Sequence, residues 1–192
     1  MFGSKKKKEQ ERDEEEKPFN WKKEVIEWVS LIFFTILFVT FLDTKVVVNS
    51  VVPSASMETT IMTGDHIFGN RLAYREKDPE RFDIVIFRMP DDKSELYIKR
   101  IIGLPGETVR IEDGEVYIND SEIPLKDDFI REPMKGEDGI YQVPENSYFM
   151  MGDNRNNSSD SRFWNNPYVI REDILGKAFF RYLPFDRIGP VE

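Results

Sequence analysis

Cysteine is absent from this 192-residue chain and histidine occurs once, at His66. The first absence removes disulfides, thiolate nucleophiles, zinc-thiolate sites and iron-sulfur sites together; the second leaves no histidine cluster for a metal. No metal and no cofactor are expected. Basic residues are in deficit, 27 Lys and Arg against 36 Asp and Glu for a net charge of −9. That balance argues against a general affinity for phosphate backbones, so no nucleic-acid partner is expected. Long helical periodicity is missing from everything after Leu42, and no internal repeat is visible.

What is present begins with a charged tail. Residues 1–24 carry eight basic groups against seven acidic ones and almost nothing apolar, the composition of a solvated, disordered segment. Residues 25–42, VIEWVSLIFFTILFVTFL, form the one long apolar run, with Glu27 its only charge. As a helix they would span about 27 Å, close to the thickness of a bilayer core. The apolar character goes all round the helix, which favours a lipid-facing span over a core helix with one buried stripe. Trp21 and Trp28 stand where interfacial anchors belong. A cleaved secretory signal would have a shorter run and small residues after it, whereas DTKVVVN follows here. Eight Lys and Arg lie in the 20 residues before Val25 and only Lys45 in the 20 after Leu42. The tail is therefore expected in the cytoplasm and residues 43–192 outside.

Those residues suffice for a core of their own. They consist of short β-rich runs between turn residues: TKVVVNSVV, HIFGNRLA, FDIVIFRM, SELYIKRIIG, ETVRIEDGEVYIND, IYQVPENSYFMMG and GKAFFRYLP. TVRIE and EVYIN flanking Asp113-Gly114 predict a hairpin. The expectation is a mainly β, antiparallel domain with one short helical turn after Ser56.

Without a thiol, nucleophilic catalysis must use a hydroxyl with a base beside it. His66 is the only histidine available to a Ser-His-Asp triad, and its place at the start of a strand after a turn reads as a surface or edge-strand residue. A lysine base must be neutral, so it should sit where burial lowers its pKa. Lys99 fits, lying between Ile98 and Ile101 in LYIKRIIG, on the face of Tyr97 and Ile101 by strand alternation. The serine candidates are Ser54 and Ser56 in VVPSASMETTI, where a turn of small residues exposes hydroxyls and leaves backbone N–H groups free for an oxyanion. MGDNRNNSSDSRFW is dense in side chains that bond backbone. Its spacing does not make a calcium loop, since Arg155, Ser158 and Trp164 occupy the third, sixth and twelfth positions. GLPGE lacks the Lys and Ser/Thr of a phosphate loop.

Taken in this order and after one N-terminal span, the three clusters resemble the bacterial type I signal peptidases, membrane-bound serine proteases with a Ser-Lys dyad. PSASM resembles the box around the nucleophile, which implies Ser56 as nucleophile and Ser54 as the serine whose hydroxyl completes the oxyanion hole with the Ser56 N–H. RFDIVIFRMP and YIKRIIGLPGE resemble the next two boxes and imply Lys99 as general base. MGDNRNNSSDSR resembles the last box; Asp153, Asn154 and Arg155 fall within it as supporting residues, Ser158 matches a residue that contacts the lysine amine, and Asp160 and Arg162 match a supporting ion pair. Val52, Pro53, Tyr97 and Ile98 match the lining of pockets for small substrate side chains. Thr59 and Asn165 stand where the family usually has proline and glycine. The resemblance implies a single-pass protein of a bacterial plasma membrane that acts on the signal peptides of exported preproteins, in contact with lipid and near Sec or Tat export machinery. Ser-Lys autoproteases of the SOS-repressor type share the chemistry, but they need a DNA-binding or cytosolic segment where this chain has a span. A non-catalytic membrane scaffold is the other alternative.

Overall fold

The computed structural model describes residues 20–136 and 138–191, and the tail expected over residues 1–24 falls outside them as far as residue 19. The chain divides into two units, one ending at Thr40 and one running from Phe41. Helix α1, Trp21–Phe41, runs to that boundary. It starts ahead of Val25 because Asn20 caps it: Asn20 Oδ1 accepts the Lys23 backbone N–H at 3.2 Å and the Asn20 carbonyl accepts the Glu24 N–H at 3.1 Å. No residue of α1 is buried, and the consecutive Leu31, Ile32, Phe33 and Phe34, all exposed, leave apolar surface on every side. With the wider helical turn Leu42–Val46 that continues it, α1 is long and apolar enough to cross a membrane.

The second unit contains β1 (Val47–Val51), β2 (His66–Asn70), β3 (Ile84–Arg88), β4 (Leu96–Gly103), β5 (Thr108–Glu112), β6 (Glu115–Ile118), β7 (Gly139–Gln142), β8 (Ser147–Met151), β9 (Tyr168–Ile170), β10 (Ile174–Leu183) and β11 (Gly189–Pro190). The larger sheet has the order β1-β2-β10-β3-β4-β8-β9, with β11 on β10, and β6-β5-β7 form the smaller one. Every pairing is antiparallel. The unit is mainly β, as expected. The predicted hairpin is β5–β6, and Asp113 and Gly114 hold φ of 51° and 80°, the pair of positive values that a two-residue turn matching strand twist requires. The helical turn expected after Ser56 is a single 3₁₀ turn, Ala55–Met57, that contains it.

One expected run divides. IYQVPENSYFMMG supplies β7 to the smaller sheet and β8 to the larger, because Pro144 has no N–H for a ladder and Asn146, at φ 61°, turns the chain between them. β8 is buried along its whole length. Together with Arg100–Gly103 of β4, which it pairs, it forms the floor from which the polar stretch after Met151 departs. A second cluster of buried residues, with Val48, Val52, Met57, Ile61, Ile86 and Ile98 in contact, lies under the turn that carries Ser56.

Candidate active site

Ser56 is held by what surrounds it in the chain. Val52 N donates to Asp65 O at 2.9 Å and Gly64 N to Val52 O at 2.8 Å, so the strand leaving β1 stays tied to the chain entering β2. Asp65 is itself anchored: burial would raise its pKa, but donors from Arg187, the Met62 N–H and Arg181 outweigh this and hold the carboxyl below its ordinary value. Met57 and Ile61 are fully buried and fix the turn to the core. Between these anchors Ser56 is 6% exposed, and Lys99, in the middle of β4 opposite Val85, is 3% exposed.

Lys99 Nζ lies 2.6 Å from Ser56 Oγ and 3.3 Å from the Ile98 carbonyl, and 5.3 Å from the centroid of the Tyr97 ring, on the face that strand alternation predicts. Burial pulls the pKa of this amine from an ordinary 10.5 down to about 8, against the Asp160 and Asp153 carboxylates, which raise it. Ser54 Oγ donates to Ser56 Oγ at 3.3 Å. The pair opens onto a cleft of about 550 Å³. One wall is the chain from Ser50 to Met57 and the other is Glu95 to Lys99, so Val52, Pro53, Tyr97 and Ile98 all line it. His66 is elsewhere, its Nδ1 3.3 Å from the Tyr182 hydroxyl.

The segment after β8 backs the serine turn. Gly152 is required there: a Cβ on it would stand 2.3 Å from Ser56 O and 2.3 Å from Ser158 Oγ, inside any real contact distance. Asn154 N donates to Ser56 O and Asn154 Nδ2 to Ala55 O, both at 3.1 Å. Arg162 is paired with Asp160, Nε to Oδ1 at 2.8 Å and Nη2 to Oδ2 at 2.9 Å, and Asp160 Oδ2 also accepts the Gly152 N–H at 2.9 Å. Arg155 is buried, with Nη2 3.0 Å from Asp127 Oδ2, and burial lowers its pKa. Asn165, at one departure from the family pattern, donates its N–H to Asp91 Oδ2 at 2.9 Å.

The resemblance implies that Ser158 contacts the lysine amine; the hydrogen bonds of Lys99 go to Ser56 and Ile98 instead. Ser158 Oγ is buried without a hydrogen-bond partner, turned toward Gly152, and its neighbours Asn157 and Ser159 line the cleft instead.

Arg100 was missed. It donates Nε to Asp153 Oδ1 at 2.8 Å and Nη2 to Asp153 Oδ2 at 2.7 Å, gives Nη1 to the Phe82 carbonyl, and lies 4.1 Å from the centroid of the Phe129 ring. Thr60 Oγ1 completes the carboxylate at 2.6 Å. The available signal was a second cation in an apolar strand, directly after Lys99, which needs a buried counter-charge. Arg100 is 4% exposed and Asp153 3%, so Asp153→Ala leaves an uncompensated guanidinium and should lose about 3–5 kcal/mol of stability, read by urea denaturation. Asp153→Asn should in addition lower the Lys99 pKa, because the Asp153 charge holds it up.

A hydroxyl touching a buried amine, in an open cleft of a mainly antiparallel β domain, is the arrangement of groups that a serine hydrolase with a lysine base needs. Comparison with known proteins narrows that class. The family described as "Signal peptidase, peptidase S26" matches residues 25–183. A probable signal peptidase I-2 from Synechocystis sp. is 43% identical over 143 residues, 72% of this chain and 64% of that protein. A signal peptidase I from Leptolyngbya laminosa is 39% identical over 147 residues, 73% of this chain and 70% of that protein. A crystal structure of a signal peptidase I from Enterococcus faecalis V583 aligns with 53% of this chain and 97% of its own, at 34% identity and a TM-score of 0.46. The chain belongs to the signal peptidase family, peptidase S26.

Proposed function

We propose that this chain is a membrane-bound serine endopeptidase that removes N-terminal signal peptides from exported preproteins, with Ser56 as nucleophile and Lys99 as general base. The observation that carries the proposal is the 2.6 Å separation of Lys99 Nζ and Ser56 Oγ with both side chains buried. Ser56 Oγ attacks the scissile carbonyl while the neutral amine takes its proton. The oxyanion is held by the Ser56 N–H and the Ser54 hydroxyl. The tetrahedral intermediate collapses, the lysine returns the proton to the departing amine of the mature chain, and the signal peptide remains as an ester on Ser56. A water deprotonated by the same amine hydrolyses that ester, releasing the signal peptide carboxylate. The Ile98 carbonyl, 3.3 Å from Nζ, is a second acceptor that helps hold the amine beside Ser56.

The walls formed by Val52, Pro53, Tyr97 and Ile98 suit small apolar side chains near the cut, the Ala-x-Ala type of signal cleavage site. Helix α1 serves as the anchor. The basic excess before it puts the N-terminus in the cytoplasm and the catalytic domain outside, beside Sec or Tat export machinery. Tethering enzyme and substrate in one bilayer raises their effective concentration.

The test is incubation of the detergent-solubilised protein with a preprotein: the wild type should release the mature chain and Lys99→Ala should not, whereas equal cleavage by both would end the proposal. The pH dependence has a definite sign. The base works as free amine, so with a pKa of about 8 the logarithm of kcat/KM for a peptide substrate should rise with slope one below that pH and level off above it. A rate already flat from pH 6 upward would remove lysine from the role.

A further inference from the structure

We propose that Asn154 is a positioning residue that sets the direction of the Ser56 backbone N–H, acting through the peptide unit that joins Ala55 to Ser56. This rests on the reading of that N–H as an oxyanion donor. A peptide unit is planar and, when trans, points its C=O and its N–H in opposite directions; the bond between Ala55 and Ser56 is not among the two cis bonds found in the described residues. Whatever holds the Ala55 carbonyl therefore also aims the Ser56 N–H. Two donors hold it: the Glu58 N–H that closes the 3₁₀ turn, at 3.1 Å, and Asn154 Nδ2, at 3.1 Å. A carbonyl only accepts, so the Asn154 amide can face it only with its NH₂.

The Glu58 bond by itself leaves a three-residue turn free to rock about the chain, since it is local to the turn. The Asn154 bond ties the same oxygen to a segment 99 positions away in the chain. That segment is itself rigid. Asn154 N donates to Ser56 O at 3.1 Å, Gly152 lies in close approach to Ser56 O, and the Gly152 N–H is held by the Asp160 carboxylate that Arg162 pairs. Both carbonyls that flank the Ser56 backbone are thus taken up on the side of the segment after β8, and the N–H between them is directed to the opposite side. Oxyanion stabilisation depends on donors that are already oriented when the charge forms. Releasing the Ala55 oxygen should therefore cost transition-state stabilisation and leave ground-state binding in the cleft nearly intact.

The experiment uses the full chain in detergent and compares wild type, Asn154→Ala and Asn154→Asp. Asp keeps the size of the side chain but, ionised, cannot donate to the Ala55 carbonyl. Each variant is assayed for kcat and KM on a peptide with an Ala-x-Ala site, and for affinity toward a peptide aldehyde and the matching peptide alcohol. Ser56 Oγ adds to the aldehyde carbon to give a hemiacetal whose oxygen occupies the oxyanion position; the alcohol fills the cleft and forms no bond. The expected result is a fall in kcat of about tenfold or more, with KM within about twofold. Aldehyde affinity should fall by a similar factor and alcohol affinity should stay unchanged. An unchanged kcat overturns the proposal, as does a loss carried by KM and alcohol affinity together. A loss that matches the fraction unfolded at the assay temperature, followed by thermal melting, overturns it too. If the wild type binds aldehyde and alcohol alike, the oxyanion reading itself has failed; if wild type prefers the aldehyde and both Asn154 variants keep that preference, only the role of Asn154 is lost.

Discussion

Ser56→Ala and Lys99→Ala should each reduce preprotein cleavage by on the order of 10⁴-fold or more, and the double variant should be no worse than either single one. In the proposed mechanism the two groups carry out one act, transfer of a proton from Oγ to Nζ as the carbonyl is attacked, so removing the second after the first should remove nothing further. Lys99→Arg should be as inactive as Lys99→Ala, because a guanidinium stays protonated and cannot take the proton. Stability separates the base from a structural cation. Lowering the amine from 10.5 to about 8 by burial costs the folded state about 3 kcal/mol. The cost is fully present below pH 8, where an unfolded chain would keep the proton, and it disappears as pH rises through 10.5. Lys99→Met, apolar and of similar length, should therefore be inactive and at least as stable as wild type at neutral pH. A Lys99→Met protein that unfolds in milder urea than wild type would mean that the ammonium contributes to the fold, and the assignment of a neutral base would fail.

Lys99 and the turn that carries Ser54 and Ser56 were legible because each breaks a local rule. A lysine between isoleucines in a strand and a Pro-Ser-Ala-Ser turn at the end of an apolar run are visible without any knowledge of what lies opposite. The hairpin at Asp113-Gly114 was legible for the same reason, since only residues that tolerate positive φ make that turn. What supports the pair was harder to read. Arg100 and Asp153 meet across 53 positions, and nothing local to either names the other. The place of β10 between β2 and β3 is a long-range pairing that alternation along one strand does not encode. Ser158 shows the limit from the other side: the motif predicted its contact, but the direction of a single hydroxyl depends on the path of the backbone over Gly152, which spacing does not determine. The start of α1 was displaced because a capping side chain, Asn20, decided it rather than the onset of the apolar run.

Ser54→Ala should lower kcat by on the order of 10²-fold with little change in KM or in the melting temperature. The hydroxyl lines the cleft, exposed, and in the free protein it makes a 3.3 Å bond to Ser56 Oγ. A bond of that length between neutral hydroxyls adds little to stability, so the folded state should not register its loss. In the proposed transition state the same donor would face a forming negative charge, and charge-assisted bonds are roughly twice as strong as neutral ones. Its contribution therefore grows as the reaction proceeds, which is the condition for affecting kcat alone. Because Ser54 is partly open to water, the effect belongs at the lower end of what a buried oxyanion donor provides. Ser54→Thr keeps the hydroxyl and should recover much of the rate, while Ser54→Val, of the same shape without the donor, should not. Steady-state kinetics on a peptide substrate decides the matter: a defect appearing in KM, or equal activity of Ser54→Thr and Ser54→Val, would place the hydroxyl in substrate binding or in turn structure instead of beside the oxyanion.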